Sequence, residues 1–338
     1  MKIAMMSTNK APEGEDRQVT GLSSALRALG HEVGTVRCAT SSTGEAAEAL
    51  RAQWDREQPD LVHAHSWRSG LVAVLAAQPL GLPVVQSFGG FDRDPAGLAR
   101  LVGREVALVV ASCEHEVLEL AAAGVPRPRI VTAPRGVDTS LFTSTGEVSR
   151  RSDRLRIVTV AGPSPDDGVA DLVAALPWLK AVELVVIGAS APGQADRLKA
   201  WARKLEVEDR TRVLGPVPRQ DLPALLRSAD LAAFVPRRAC SDDGPLEAMA
   251  CGVPVLATEV GGLSDLVVDG VTGALVPPGE LKQLIRRLRV VLDDATFRLA
   301  CGFAAADRIN ARHKWPGVGQ TVARLYSRVL ELQPAPTG

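Results

Sequence analysis

The sequence predicts two α/β domains, each built on a doubly wound parallel sheet with helices on both faces. Short apolar runs alternate with segments of helical periodicity along the whole chain. The runs are nearly continuously apolar, which is typical of strands buried on both faces. The chain has 338 residues, more than one ordinary hydrophobic core accommodates, so two domains are expected. A polar stretch at Leu141–Arg154 interrupts the alternation and reads as a linker.

The first domain, residues 1–145, contains an alternation of predicted strands and helices. The strands are Lys2–Ser7, Glu32–Arg37, Leu61–Ala64, Pro83–Ser87, Ala107–Ser112 and Ile130–Ala133. The helices between them are Arg17–Leu29, Glu45–Glu57, Ser69–Ala77, Ala96–Arg104 and Glu114–Ala123. Strands that are separated by helices favour a parallel sheet.

The second domain, residues 150–315, repeats this organisation. Its predicted strands are Leu155–Val160, Val182–Ile187, Arg212–Leu214, Leu231–Phe234, Val253–Ala257 and Ala274–Val276. Its helices are Val169–Leu179, Ala195–Lys204, Leu222–Ser228, Pro245–Ala250 and Leu263–Val267. The tail Leu281–Leu332 is helical in pattern with a break at "HKWPG", and its last helix, 316–333, is treated as a separate element. Ligands of such sheets bind beyond the carboxyl ends of the strands, so every strand-to-helix loop is a candidate site.

Composition excludes several classes of protein. The 39 basic residues balance the 39 acidic ones, and aromatic residues make up only 4%, which argues against a nucleic-acid-binding surface. No stretch approaches the roughly 18–20 apolar residues of a membrane span, and the N-terminus reads as a first strand rather than a signal peptide. The five cysteines are scattered without metal-ligand spacing. These features predict a cytoplasmic protein with free thiols and no stable membrane anchor.

The most informative segment is "SDDGPLEAMACGVPVLATEVGG", which spans 241–262. Gly244 and Pro245 are expected to start a short helix with Glu247 in its first turn, since proline suits a first helical position. Free N–H groups at such an end attract oxygen ligands, and the carboxylate can hold a ribose diol. Gly261 and Gly262 would let the backbone approach a ligand. The alternatives are that Glu247 only complements the helix dipole and that the glycines only form a turn.

Four segments together resemble one family. "PLEAMACGVPVLATEVGGLSDLVVDGVTGALVPPG" is similar to the donor-site signature of family 4 glycosyltransferases with the GT-B fold. The same family is resembled by "DLVHAHSWRSGLVAVLAAQPLGLPVVQS", "GVPRPRIVTAPRGVD" and "KWPGVGQTVARLYSRVLE". The resemblance implies two Rossmann-like domains facing across a cleft, with a nucleotide-sugar donor on the C-terminal domain and the acceptor on the N-terminal one. It also implies retention of anomeric configuration, no metal, and a last helix that crosses back to the first domain.

The donor side departs from the family pattern. The family pairs two glutamates with seven residues between them, and Ala239 stands where the first is expected. The family also places an Arg and a Lys on the diphosphate, whereas the loop "AGPSPDDGV" carries Pro163 and Asp167 nearest to those positions and adds Asp166. Cations normally stabilise a leaving diphosphate. We therefore hypothesise that Arg237 or Arg238 supplies the missing charge; the alternative is that both are solvated surface arginines.

The donor-binding residues that this reading predicts come from four loops and the start of one helix. They are Gly162, Ser164, Val217, Arg237, Arg238, Asp243, Gly244, Pro245, Leu246, Glu247, Gly261 and Gly262. In the family reading Glu247 holds the ribose, the backbone near Val217 contacts the base, and the two last glycines pass close to the sugar and phosphates. Asp242 or Asp243 is an alternative source of the missing acid.

The acceptor side of the family reading involves the first domain. The residues expected there are Gly14, His65, Trp67, Arg68 and Gly89. Here too the chain departs from the family: Phe88 and Gly89 replace a usual histidine, and only Gly14 remains of a glycine-rich loop. His63 and His65 alternate on one strand, which would suit a metal, but no third ligand is near in sequence, so no metal is expected. No residue is a convincing catalytic base.

The sequence is compatible with two functions. The first is a glycosyltransferase that moves a sugar from a nucleotide sugar to a soluble small-molecule acceptor, with tailoring of a specialised metabolite by an unusual sugar as a suggested context. The second is a catalytically silent relative that binds a sugar or a partner. A dinucleotide oxidoreductase is disfavoured because no G-x-G-x-x-G follows either first strand. The sequence is also compatible with a homodimer.

Overall fold

The computed structural model describes residues 1–9, 13–38, 42–89, 97–162, 164–238 and 243–332. The chain divides into two compact units. Unit 1 comprises Met1–Gly136 and the segment that begins at Arg312, and unit 2 comprises Val137–Ala311.

The division after Gly136 lies ahead of the polar stretch that the sequence suggested as a linker. Val137 and Phe142 are the reason, because both are buried in the hydrophobic core of unit 2. The expected border at 145–150 is therefore displaced toward the N-terminus.

Unit 1 is a six-stranded parallel sheet in the order β2-β1-β3-β4-β5-β6. Its strands are β1 Lys2–Thr8, β2 Glu32–Cys38, β3 Leu61–His65, β4 Val84–Ser87, β5 Leu108–Ala111 and β6 Ile130–Thr132. Its helices are α1 Glu13–Ala28, α2 Thr43–Glu57, α3 Trp67–Ala77, α4 Leu98–Glu105 and α5 Glu114–Ala122. The strands are almost wholly buried at the centre of the sheet, as their apolar runs predicted.

Unit 2 is a second six-stranded parallel sheet, in the order β12-β11-β10-β7-β8-β9. Its strands are β7 Leu155–Ala161, β8 Val182–Gly188, β9 Thr211–Val213, β10 Leu231–Phe234, β11 Val255–Thr258 and β12 Gly273–Val276. Its helices are α6 Val169–Ala175, α7 Gln194–Lys204, α8 Leu222–Arg227, α9 Asp243–Ala250, α10 Leu263–Leu266, α11 Leu281–Asp293 and α12 Ala295–Arg312. Counted from its own first strand, this order is the 3-2-1-4-5-6 of the Rossmann fold. The predicted class, two Rossmann-like doubly wound α/β domains, is confirmed.

The last helix, α13 Trp315–Glu331, belongs to unit 1 and packs on α1. Its Trp315 ring lies against two glycines: a Cβ on Gly21 would come within 2.2 Å of the ring, and one on Gly136 within 2.4 Å. Pro316 occupies the start of the helix, where its missing N–H costs nothing. These contacts explain why the helical tail is interrupted at "HKWPG".

Several element bounds differ from the prediction for local reasons. Helix α6 ends at Ala175 and continues only as a 3₁₀ turn, Leu176–Trp178, because Pro177 cannot donate the next helical hydrogen bond. Helix α1 begins earlier than predicted, at Glu13, and carries three acidic residues in its first turn, where they complement the helix dipole.

The strand orders place one switch point in each sheet, where successive connections leave in opposite directions. In unit 1 it lies between β1 and β3, and in unit 2 between β7 and β10. Ligands of doubly wound sheets bind beyond the carboxyl ends of the strands at such points. The loops after β7 and β10 in unit 2, and the segments after β1 and β3 in unit 1, are therefore where a site is expected.

Candidate functional site

The two loops at the switch point of unit 2 are locked to each other. The Arg237 N–H donates to the Asp166 carbonyl at 2.9 Å. Gly168, with φ of +76°, lies so close that a Cβ there would be 1.8 Å from the Val235 carbonyl oxygen. Thr258, at the end of β11, donates its hydroxyl to the Pro236 carbonyl at 2.7 Å. The loops after β7 and β10 consequently form one surface.

The Asp167 carboxylate is held by hydrogen bonds within unit 2. Its carboxylate accepts hydrogen bonds from the Val169 N–H at 3.0 Å and from the Gln194 side chain at 3.0 Å. The Gln194 amide also donates to the Gly162 carbonyl at 2.8 Å. Burial raises the pKa of Asp167 above its usual value although these hydrogen bonds oppose the shift. Asp167 therefore fixes the loop at the start of α6.

Arg237 and Arg238 both have acidic partners in unit 2. The Arg237 guanidinium contacts both carboxylate oxygens of Asp171, at 3.0 Å and 3.2 Å. Arg238 is more exposed, and its Nε lies 3.8 Å from an Asp166 carboxylate oxygen. A ligand diphosphate would therefore have to compete with Asp171 for Arg237, whereas the Arg238 pair is long and solvated.

Glu247 is buried and paired with a residue that the sequence did not single out. Helix α9 begins at Asp243, so Glu247 is its fifth residue and lies in the second turn rather than in the first. Its relative exposure is 6%, and its Oε1 accepts from Nη1 of Arg219 at 2.6 Å. The Arg219 guanidinium lies over the Phe142 ring, 4.7 Å from its centroid.

The rest of the predicted helix segment serves packing. Leu246 is fully buried in the core, and Pro245 and Asp243 are also buried. Gly244 lies against the Phe234 ring at the end of β10, where a Cβ would come within 2.8 Å of the ring. These contacts set the position of α9.

The remaining predicted donor residues lie in three loops of unit 2. Gly261 has φ of +52° in the turn after β11, whereas Gly262 has an ordinary helical φ and precedes α10. Val217, after β9, packs partly buried against the core. Ser164 accepts from the Asp166 N–H and caps the 3₁₀ turn after β7, next to Gly162. Ala239, Asp242 and Pro163 lie outside the described residues.

At the switch point of unit 1, the rings of the two β3 histidines lie side by side, with their centroids 4.2 Å apart and their planes tilted by 34°. His63 Nδ1 lies 2.6 Å from the Tyr326 hydroxyl and its Nε2 lies 3.0 Å from the Ser87 hydroxyl, so both nitrogens are engaged. Burial lowers the pKa of His63 well below its usual value and the pKa of His65 to about 4. Both rings are therefore neutral near pH 7, and His63 is a hydrogen-bonded core residue.

The residue between β3 and α3 is strained. Ser66 has φ of +76° and ψ of 153°, a region populated almost only by glycine. Trp67 and Arg68 follow it in the first turn of α3, with the guanidinium 5.1 Å from the indole centroid. Strain of this kind concentrates at functional sites.

The two predicted glycines of unit 1 differ in backbone conformation. Gly14 is the second residue of α1 and has helical conformation rather than a loop conformation. Gly89 has φ of +64° just after β4, with no atom close enough to obstruct a Cβ.

One carboxylate at this end of unit 1, that of Glu15, was not predicted from the sequence. Glu15, in the first turn of α1, has its pKa raised to about 7 by burial and by the neighbouring Asp16 charge, while Arg135 opposes the rise. Arg135 also lowers the pKa of His65, after the larger effect of burial. Arg135 thus acts on both Glu15 and His65, although the three residues come from distant parts of the sequence.

The described part of the chain has neither a metal cluster nor a membrane-spanning helix. No group of three or more His, Cys, Asp or Glu side chains there could hold a metal ion. None of its helices has the length and apolar character needed to cross a bilayer.

Comparison with known proteins identifies the family. The model described as "Glycosyl transferases group 1" matches residues 145–308, and "Glycosyl transferase 4-like domain" matches residues 37–136. The D-inositol 3-phosphate glycosyltransferase of Kineococcus radiotolerans is 30% identical over 89% of this chain and 78% of its own length. The chain belongs to the family 4 glycosyltransferases. The predicted enzyme class is confirmed.

One further relative and one solved structure match almost the whole length of this glycosyltransferase. Glycogen synthase of Mycobacterium tuberculosis is 27% identical over 99% of this chain and 97% of its own. The Anabaena protein Alr3699/HepE, solved in complex with UDP-glucose, superposes with a TM-score of 0.82 at 20% identity, covering 97% of this chain and 100% of its own. The structural neighbour confirms the GT-B fold class.

In this glycosyltransferase the structure brings together residues that the sequence keeps apart. Arg219 and Glu247 are separated by 28 positions and form a contact at 2.6 Å. Asp171 lies 66 positions from Arg237 and neutralises it. The sequence gives one indication of these two pairs. All four residues follow strands of unit 2, and the carboxyl ends of those strands lie at one edge of the sheet.

Proposed function

We propose that this glycosyltransferase moves a sugar from a nucleoside-diphosphate sugar to a small-molecule acceptor, with retention of anomeric configuration. The observation that supports this most is the Glu247 carboxylate, which is buried near the switch point of unit 2 and paired with Arg219. A carboxylate accepts hydrogen bonds from both hydroxyls of a ribose. UDP-glucose, which the Anabaena neighbour binds, is the first donor to test.

The diphosphate of the donor needs stabilisation as the glycosidic bond breaks, because negative charge develops on the leaving oxygen. We propose that Arg237 and Arg238 stabilise the diphosphate. The phosphates would take the place of Asp171 on Arg237, and Arg238 is exposed beside the same loop. The proposal includes no metal, and the two guanidinium groups are its source of positive charge.

For the acceptor we propose a polyol or sugar that carries an anionic group. The curated relative from Kineococcus is named for D-inositol 3-phosphate. Arg135, which acts on His65 and Glu15 in unit 1, is a cation suited to a phosphate. His65, Trp67 and Arg68 are the neighbouring residues proposed for the acceptor. Tailoring of a specialised metabolite with an unusual sugar, a cytoplasmic location and a homodimer stay predictions.

The test is a donor screen with a matched pair of variants. UDP-, ADP- and GDP-sugars are incubated with D-inositol 3-phosphate or with no acceptor, and release of the nucleoside diphosphate is measured. We expect turnover with one donor class and a loss of about 10- to 100-fold in kcat/KM for Glu247→Gln, since a hydrogen bond to a charged group is lost. Glu208→Gln, on an exposed 3₁₀ turn of unit 2, is the control and should match the wild type. A folded protein that neither binds nor turns over any donor would contradict the proposal and favour the silent alternative.

A further inference from the structure

We propose that Arg219 is a positioning residue for the donor ribose, because its ion pair with Glu247 fixes the carboxylate that binds the ribose hydroxyls. This inference rests on the proposed function. Arg219 itself need not touch the nucleotide; its effect is exerted through the geometry and charge of Glu247.

The first support is the burial of Glu247. Its side chain is 8% exposed, whereas that of Arg219 is 37% exposed. An ionised carboxylate that is removed from water is stable only when a cation or several donors compensate it. The Nη1–Oε1 distance of 2.6 Å is that of a strong charge-assisted hydrogen bond. Arg219 therefore compensates the charge of the Glu247 carboxylate and fixes its orientation.

The second support is that Arg219 is itself held in place. Its guanidinium carbon lies 4.7 Å from the centroid of the Phe142 ring, and Phe142 is 1% exposed within the core of unit 2. A guanidinium stacked on an aromatic face loses much of its rotational freedom, so little further entropy is lost when it orders a partner. The Phe142 ring in the core thus holds the Arg219 guanidinium, and the guanidinium in turn holds the Glu247 carboxylate.

The third support is the origin of Arg219 in the chain. It begins the 3₁₀ turn Arg219–Asp221, two positions after Val217, whose backbone is predicted to contact the base. The same short segment after β9 would thus contact the base and orient the ribose anchor. We therefore expect the enzyme to bind ribonucleotides more tightly than 2′-deoxyribonucleotides. The ratio of the two affinities should depend on Arg219.

The experiment compares binding of UDP and 2′-deoxy-UDP by isothermal titration calorimetry, with ADP and GDP and their 2′-deoxy forms run in parallel. For the base that the enzyme prefers, we expect the wild type to bind the ribonucleotide about 10- to 100-fold more tightly than the deoxy form. In Arg219→Ala this ratio should fall below about threefold, with the loss mainly in ribonucleotide affinity. Arg219→Lys retains the charge without the planar fork and should recover only part of the ratio.

The ratio separates positioning from a structural defect, because a partly unfolded variant loses affinity for both nucleotides equally. Arg154→Ala is the matched control, since Arg154 forms an exposed ion pair with Asp209 in the same unit, and its ratio should equal that of the wild type. If the wild type discriminates and Arg219→Ala discriminates equally well, Arg219 has no positioning role and the proposed function stands. If the wild type binds a nucleotide without a 2′-hydroxyl preference, the positioning role fails and the proposed function stands as long as a donor is turned over. If the wild type neither binds any of the three nucleotides nor turns over a donor, both proposals fail.

Discussion

Replacing Arg156 with alanine is expected to lower the free energy of unfolding of unit 2 by about 3–5 kcal/mol, the usual cost of removing one partner of a buried ion pair. Arg156 is 1% exposed and stands opposite Glu183 in the β7–β8 register. Its Nε donates to Glu183 at 2.6 Å and its Nη1 to the Ser228 hydroxyl at 2.7 Å. Without the guanidinium, the Glu183 carboxylate would remain buried beside a polar cavity.

Chemical denaturation followed by circular dichroism measures this effect. Arg154→Ala, two positions away and engaged in an exposed ion pair with Asp209, is the control and should cost less than about 1 kcal/mol. The double variant Arg156→Met with Glu183→Leu should recover most of the lost stability, because both charges are removed together. An Arg156→Ala protein as stable as the control would show that the buried pair is not needed.

Gly168→Ala is expected to be the most damaging single-methyl change at the donor loops. The residue has φ of +76°, and its added Cβ would lie 1.8 Å from the Val235 carbonyl oxygen. The left-handed conformation alone costs a non-glycine residue about 1–2 kcal/mol. The backbone overlap must also be relieved, so we expect a total loss of about 3 kcal/mol or more. Relief would move the loop after β7 away from β10.

Thermal unfolding and nucleotide binding together measure this second effect. Gly168→Ala should lower both the midpoint of unfolding and the affinity for the donor nucleotide. Gly215→Ala is the matched control, since nothing lies within 4 Å of a Cβ at that position, and it should leave both quantities unchanged. If the two variants had the same midpoint of unfolding and the same nucleotide affinity, the contact between the β7 and β10 loops would not be needed for nucleotide binding.

Much of the fold could be predicted because its strands are buried on both faces. Continuous apolar runs located β8 and β10 within one residue of their observed bounds. The domain border was harder, since Val137 and Phe142 join the core of unit 2 through tertiary contacts within a locally polar segment. The end of α6 depended on Pro177, a local signal that the helical periodicity of the segment obscured.

The candidate site was only partly predictable for a related reason. Glu247 belongs to a continuous motif, so the sequence pointed to it directly. Arg219 could not be recognised as its partner, because the ion pair exists only once β9 and α9 are brought together by the sheet. The hydrogen bonds of Asp167 could not be predicted for the same reason, because they depend on Gln194 at the start of α7.

The most direct test is a crystal structure with UDP-glucose or, where the donor screen selects another base, with the corresponding nucleoside diphosphate. We expect the ribose hydroxyls to lie about 2.6–3.0 Å from the Glu247 carboxylate, with Arg219 still paired to it on the opposite side. A nucleotide bound elsewhere in the chain, or bound at this edge of the sheet with its ribose turned away from Glu247, would contradict the proposed role of this residue.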